Sequence, residues 1–331
     1  MADLPTSRRS FLFGRSLQDD DPWLRFLARL RRSCEGKVSL LVRDSAPLAR
    51  LEPARLEDVL HALSLCRDYG VCLALEGVPV PYADTQRPML QVEAGRAWGS
   101  LTPLGGGLWR VQAGCPIEVM RAAGLALAPV AKSVRDAAQW ISMLDVHPQV
   151  GHLAQYGVES VECLYPDGSI EVLGLFGVHD SQPLRSIAAQ RCVPALFQLT
   201  MHPLVEQISA QVQAGLTPVW PLAFRLDGLM TLPDSDVNLA HLLLGHRGCL
   251  GWVVALHMRA DECGLAAAPQ SQESEPGDIS LPEPATTDPE VSAPATIDLY
   301  HYRQQCRALE LEIWRAVDSD GVWLSCPGQT G

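Results

Sequence analysis

A chain of 331 residues is long enough for one large or two ordinary domains and can bury a core without covalent staples. Its 47% hydrophobic and 19% charged residues are those of a globular protein, and no apolar run is long enough to cross a bilayer. The formal net charge of −12 opposes generic binding to nucleic acid or to an anionic membrane, which leaves a small molecule or another protein as the expected partner.

Near the start of the sequence lies Ser7-Arg8-Arg9-Ser10-Phe11-Leu12, which resembles a twin-arginine export motif. Such a motif works only ahead of an apolar segment, and here Gly14-Arg15-Ser16 and the acidic run Asp19-Asp20-Asp21 follow instead, so a basic arm on a cytoplasmic protein is expected. From Pro22, the residues Trp23, Phe26, Leu27 and Leu30 recur at helical spacing. Around Arg50 a short strand precedes an amphipathic helix that Gly70 ends, and Val71-Cys72-Leu73-Ala74-Leu75 reads as a buried strand leading into the loop Glu76-Gly77-Val78-Pro79-Val80-Pro81. Strands are expected at residues 89–92 and 108–112, with a helix over 116–123 that has Pro116 in its first turn. Gly105-Gly106-Gly107 lacks the Lys and Ser or Thr of a phosphate loop and reads as a tight turn.

Ten cysteines are scattered through apolar segments with no Cys-x-x-Cys pair, the pattern of reduced core thiols in a reducing compartment. The nine histidines show no metal-ligand spacing; His241 and His246 flank Gly245 and suit neither one helix face nor a metal motif. His152 and His257 read as surface or satisfied core side chains rather than general bases.

Residues 129–153 read as an irregular loop ahead of a β-hairpin over 155–174. In that hairpin Val158, Val161, Cys163 and Leu164 precede Pro166-Asp167-Gly168, and Ile170, Val172 and Leu173 follow it. Pro166 ends the first strand and Asp167-Gly168 reverses the chain. Such a hairpin is placed to hold the upstream loop against a ligand. Further on, residues 266–296 are rich in Pro, Ser, Glu and Ala and cannot bury a core, so they read as an extended or disordered linker. The final helix carries Tyr302, Cys306, Leu309 and Ile313 on one face that can dock back on the preceding domain.

The order of these elements resembles the FAD-linked oxidases whose flavin domain is that of p-cresol methylhydroxylase and vanillyl-alcohol oxidase (the PCMH type), and within them the FAD-binding subunit of glycolate oxidase and the D-lactate dehydrogenases. Residues 51–71 resemble the opening unit of Pro, helix and Cys-x-x-x-Gly-Val, and residues 112–127 the strand and helix ahead of the flavin loop. Gln155-Tyr156-Gly157-Val158 through Asp167-Gly168 is similar to the Tyr-Gly-Ser hairpin. Asn238-Leu239-Ala240-His241-Leu242-Leu243-Leu244-Gly245-His246-Arg247-Gly248-Cys249-Leu250-Gly251 is similar to the Asp-Leu-x-x-Leu-x-x-Gly-Ser-Glu-Gly-Thr-Leu-Gly segment, and residues 313–322 to the closing helix and its Phe-Asp-Pro-x-Gly-Ile.

The resemblance implies an α+β fold in two sub-halves with noncovalent FAD between them. It implies four segments: an arm and helix over 1–45, the flavin domain over 46–262, the linker over 263–297, and a closing helix and tail over 298–331. The implied flavin-binding positions are Gly77, Val78, Ser133, Val134, Arg135, Tyr156, Gly157, Gly245, Gly248 and Gly251. The sequence departs from the pattern where the family's loops bring bare backbone amides to the FAD pyrophosphate. Only Gly77 remains in the first loop, Pro79 and Pro81 offer no N–H, and Glu76 adds a negative charge; Arg135-Asp136 stands where the second loop has paired glycines, and His246-Arg247 replaces Ser-Glu. The family's substrate-capping half has no counterpart after Met258.

Three functional readings follow. In one, the chain oxidises a small 2-hydroxy acid through flavin, with a partner oxidoreductase subunit supplying the cap. In another, it is a degenerate oxidase fold that serves as an interaction or assembly subunit. In the third, it is a protein-binding module displaying its Pro-rich linker. No convergent acid/base pair stands out in the sequence.

Overall fold

The computed structural model describes residues 21–43, 46–78, 86–128, 131–144, 157–177, 183–214, 220–222, 224–230, 237–260 and 299–318. The twin-arginine-like arm, Pro79 and Pro81, His152, Tyr156, the 263–297 linker and the tail after Asp318 lie outside these residues.

Helix α1 (Pro22–Ser33) starts where the sequence places it, because the Asp21 carboxylate accepts from the Trp23 N–H at 2.8 Å and Pro22 occupies the first turn. Its buried face is Phe26, Leu27 and Leu30. Strand β1 (Lys37–Leu41) pairs antiparallel with β2 (Leu48–Glu52). Helix α2 (Leu56–Tyr69) ends at Gly70, whose φ of 65° lets the chain turn directly into β3 (Cys72–Leu75). Strand β4 (Met89–Val92) lies between β2 and β3, parallel to both, in the sheet order β1-β2-β4-β3. Asp58 fastens this half together. Fully buried at the start of α2, its carboxylate accepts the N–H groups of Glu35, Gly36 and Ala54 at 2.8–2.9 Å.

The second half is a five-stranded antiparallel sheet. Strands β5 (Leu101–Gly105) and β6 (Leu108–Gln112) form a hairpin through Gly105-Gly106-Gly107, all at positive φ, as the tight-turn reading expects. Helices α3 (Ile117–Ala122) and α4 (Ala137–Met143) follow, then β7 (Val158–Leu164) and β8 (Ile170–Leu173), which pair from Val161↔Leu173 to Leu164↔Ile170 in the hairpin read from the sequence. A two-stranded ribbon joins β9 (Leu175–Phe176) to β10 (Val237–Asn238). Between these lie α5 (Ile187–Thr200) and α6 (Pro203–Gln213). Strand β11 (Trp252–Arg259) completes the sheet from its middle, in the order β5-β6-β11-β7-β8. The last helix, α7 (Leu299–Val317), packs against α5 and sends Cys306, Leu309, Ile313 and Trp314 into the core of this half.

Residues 129–153 are not wholly irregular, because they contain α4. Asp136 caps that helix, its Oδ1 accepting the Gln139 N–H at 2.9 Å, and Ala137, Ala138, Trp140 and Ile141 are all buried. A seven-residue helix buried on every side has no polar face, so it shows no periodicity to read. Strands β1, β5 and β11 were likewise not among the expected strands; β11 is apolar and buried along nearly its whole length and lacks alternation.

The two halves share an apolar seam. Leu164, Trp252 and Val254 of the larger sheet, with Ala113 and Ala138, enter the core formed by α1, α2 and the four-stranded sheet. Within the seam the rings of Trp98 and Trp252 meet edge to face, their centroids 5.2 Å apart. The eight described cysteines are buried thiols outside any disulfide. Among the described residues no helix is long and apolar enough to cross a membrane.

Candidate functional site

The sequence-predicted residues gather mainly at one corner of this seam, where the turn after β3 meets the approach to α4. Glu76 is the centre of the corner. Its carboxylate is ion-paired with Arg135 and lies 3.4 Å from Arg50, and both arginines also reach Glu93, at 3.8 and 3.5 Å. Gln139 locks the two segments to each other: its amide N–H donates to the Glu76 carbonyl at 3.1 Å, and its Oε1 accepts the Arg135 backbone N–H at 2.9 Å. A third carboxylate, Asp136, borders the cluster. Burial first of all, and secondarily the charges of Glu76 and Glu93, push its pKa up to about 6 against the pull of the Gln139 N–H and Arg135.

Val78 and Val134 point into the cores, and Ser133 is exposed. A β-carbon on Gly77 would stand 2.6 Å from the Gln139 amide nitrogen, so the bare backbone there accommodates the protein's own side chain. The turn from Gly245 to Gly251 is tied to α4, since Gly245 and Arg247 donate their N–H groups to the carbonyls of Ile141 and Ser142 at 2.7 and 2.9 Å. On Gly245 a β-carbon would lie 2.6 Å from the Leu144 carbonyl oxygen, on Gly251 2.5 Å from the Cys163 sulfur, and on Gly248 3.6 Å from Leu75. Gly248 thus adjoins the end of β3, close to Glu76. Gly157 is set apart. It neighbours Arg259 at the far end of β11, on the order of 25 Å along the strand from Gly251. Tyr156 lies outside the described residues.

A flavin dinucleotide would find two guanidiniums at this corner, but they are already matched by the Glu76 and Glu93 carboxylates and there is little open space. Arg50 and Arg135 supply two guanidiniums on facing segments, the groups that suit a diphosphate. Glu76 already occupies them, and the glycines that would admit a ligand's close approach abut protein atoms instead. A diphosphate here must displace the Glu76 carboxylate.

His246 is buried behind the glycine turn, its Nε2 3.0 Å from Ser142 Oγ, and burial lowers its pKa to about 3. His241 is held neutral likewise, burial and the nearby Arg225 lowering its pKa to about 4. Neither is a base exposed to a substrate.

A second polar group, not anticipated from the sequence, lies across the larger sheet. His257 on β11 stands between Ser160 on β7 and Arg110 on β6, its register partners. Its Nδ1 is 2.7 Å from Ser160 Oγ and its Nε2 is 3.1 Å from Glu162 Oε1. Arg110 grips Glu162 with two hydrogen bonds of 2.6 Å. Burial works to raise the Glu162 pKa, but the bonds from Arg110 and His257 outweigh it and hold the carboxyl down at about 2. The available signal was the Ser-x-Glu spacing in β7, which puts both side chains on one face; the pairing with His257 depends on register.

No family model matches the chain, and no curated protein matches it. Among solved structures it is similar to 4-ethylphenol oxidase from Gulosibacter chungangensis (13% identity over 75% of this chain and 43% of that one, TM-score 0.41). It is also similar to a Physcomitrella patens BBE-like 1 variant (10%, over 71% and 44%, TM-score 0.41) and to an alkyldihydroxyacetonephosphate synthase (16%, over 78% and 41%, TM-score 0.36). The chain spans less than half the length of each of these.

Proposed function

We propose that this chain binds FAD noncovalently at the seam between its halves and works as the flavin-holding part of an oxidoreductase, acting on a small 2-hydroxy acid together with a partner subunit in the cytoplasm. The single observation that carries the reading is the convergence of Arg50 and Arg135 on the carboxylates of Glu76 and Glu93 where the turn after β3 meets the approach to α4. Two guanidiniums form an anion site, with Glu76 and Glu93 as its resident anions and Glu76 the one at the flavin-loop position. FAD bound there would supply the hydride-accepting ring. The chain's own residues would hold the diphosphate through Arg50 and Arg135, and the apolar seam around Trp98 and Trp252 would keep water from the neighbouring backbone.

Because an FAD diphosphate competes with Glu76, the native chain should bind FAD weakly. Titration followed by flavin fluorescence tests this, with Glu76→Gln expected to tighten binding by ten-fold or more and Arg135→Ala to weaken it. The tightening corresponds to removing an opposed charge worth about 1.4 kcal/mol.

A second reading, a noncatalytic assembly subunit, is favoured by the protein atoms packed against Gly77, Gly245 and Gly251. If neither the native chain nor Glu76→Gln binds FAD well above micromolar concentration, the flavin reading fails and this one stands.

A further inference from the structure

We propose that Ser160 is a primed nucleophile, a serine hydroxyl backed by His257 and Glu162 that takes an acyl group from small activated esters. The inference is independent of the flavin reading, because it uses the outer row of the larger sheet and none of the residues at the Glu76 corner.

The chemistry follows from which atoms can donate. Glu162 is an anion fixed by the fork of Arg110, so it can only accept, and the 3.1 Å contact with His257 places the imidazole proton on Nε2. With the proton on Nε2, the ring presents its lone pair at Nδ1, and Ser160 Oγ, 2.7 Å away, is placed to donate its proton to it. This is the arrangement of acid, imidazole and hydroxyl that turns a serine into a nucleophile, with the two ring nitrogens in exchanged roles.

Three further features suit the assignment. Ser160 and Glu162 are two apart on β7 and His257 is the register partner of Ser160, so ladder pairing rather than a mobile loop holds all three. The position beside Ser160 is Gly174, where a β-carbon would stand 3.0 Å from that of Ser160, so only backbone, and no further side chain from this position, lies against the serine there. His257 and Glu162 each keep 17% of their side-chain surface exposed and Ser160 keeps 8% of its own, so the row lies just under the surface of the sheet, within reach of a small molecule. A row serving only to hold the sheet together would need the same hydrogen bonds but would show no reactivity.

In the acylation step Ser160 Oγ attacks the ester carbonyl carbon. The Oγ–C bond forms, the bond from that carbon to the leaving oxygen breaks, and the Oγ proton passes to His257 Nδ1 and from there to the departing oxygen or to solvent. Water attacks the acyl carbon in turn while His257 Nδ1 takes its proton; the Oγ–C bond breaks, the carboxylic acid leaves, and His257 returns the proton to Ser160 Oγ. No oxidant or further reactant is needed.

The test uses the purified full-length chain and 4-nitrophenyl acetate. A burst of 4-nitrophenolate and a single acetyl group on the peptide containing Ser160, located by mass spectrometry, are expected. Ser160→Ala should abolish both, and His257→Gln should slow the burst by about 100-fold while the melting temperature is followed alongside, since a positioned base contributes factors of that order. For the positioning role of Glu162, Glu162→Gln should slow the burst and Glu162→Asp should restore part of the rate. No burst from the native chain, an acetyl group only on other residues, or a native rate in a folded His257→Gln protein would each overturn the proposal. The native-chain labelling decides even if a variant does not fold.

Discussion

Two single residues carry conformational or electrostatic tension that can be measured. Arg247 holds φ of 52°, the one non-glycine at positive φ among the described residues, inside a turn whose N–H groups are tied to α4. A left-handed conformation costs an ordinary side chain about 1–2 kcal/mol, and glycine avoids most of that. Arg247→Gly should therefore leave stability unchanged or raise it by up to about 1 kcal/mol in chemical denaturation, even though it deletes a charged side chain. Asp136 is the electrostatic case. Its folded pKa of about 6 lies above that of an unfolded carboxylate, so the folded state holds the proton more tightly. Any stability from that preference is complete below about pH 4 and is lost as pH rises through 6. Asn at this position keeps an oxygen to cap α4 and carries no charge. Asp136→Asn should accordingly melt higher than the native chain at pH 7–8, by an amount on the order of 2 kcal/mol that shrinks toward pH 4.

At the scale of elements, α7 shows how a sequence pattern becomes a tertiary contact. The spacing of Tyr302, Cys306, Leu309 and Ile313 makes one apolar face, and the helix enters the larger core by that face and by Trp314 and Val317. Ile313 is fully buried, so Ile313→Ala should cost about 2–5 kcal/mol, through lost apolar transfer and the cavity it leaves. Limited proteolysis offers a second check. Cleavage within 266–296 should leave the piece carrying α7 associated with the rest under native conditions, and its release would count against a docked helix. The hairpin of β7 and β8 was legible for a different reason, because Pro166-Asp167-Gly168 is a local instruction that requires no partner. In α4 the opposite holds: a cap and six buried residues out of seven leave no pattern, and only the surrounding core makes it a helix.

Across the whole molecule, acid should act through the two buried histidines near the glycine turn. In the unfolded chain they take up protons near pH 6.5, whereas the folded chain keeps His241 and His246 neutral down to about pH 4 and 3. Their contribution to stability is whole above pH 6.5 and is lost as pH falls toward those values. Asp136 works in the other direction over part of the same range. Acid titration of the melting temperature should therefore show a fall below pH 6 that His246→Gln makes shallower and Asp136→Asn makes steeper. The seam between the halves belongs to this scale too, since Trp98, Trp252 and Leu164 come from distant parts of the chain and meet only when both sheets have formed.

What the sequence determined by itself was local and periodic. Asp21-Pro22 starts a helix, Gly70 stops one, Gly105-Gly106-Gly107 and Asp167-Gly168 turn the chain, and the alternation of such elements supports an α+β fold in two halves. Each of these rests on a residue's own backbone freedom or on a short hydrophobic repeat, which survive without knowledge of partners. The tertiary structure alone decided who answers whose charge. The sequence placed Glu76 and Arg135 in two loops as opposing influences on a diphosphate, but only folding joined them as an ion pair and filled the space beside Gly77 with Gln139. Likewise Ser160 and Glu162 were visible as neighbours on one strand face, while His257, 97 residues from Ser160, reached them through the pairing of β11 with β7. Registers between distant strands are set by the packing of a whole sheet, and no local repeat encodes them.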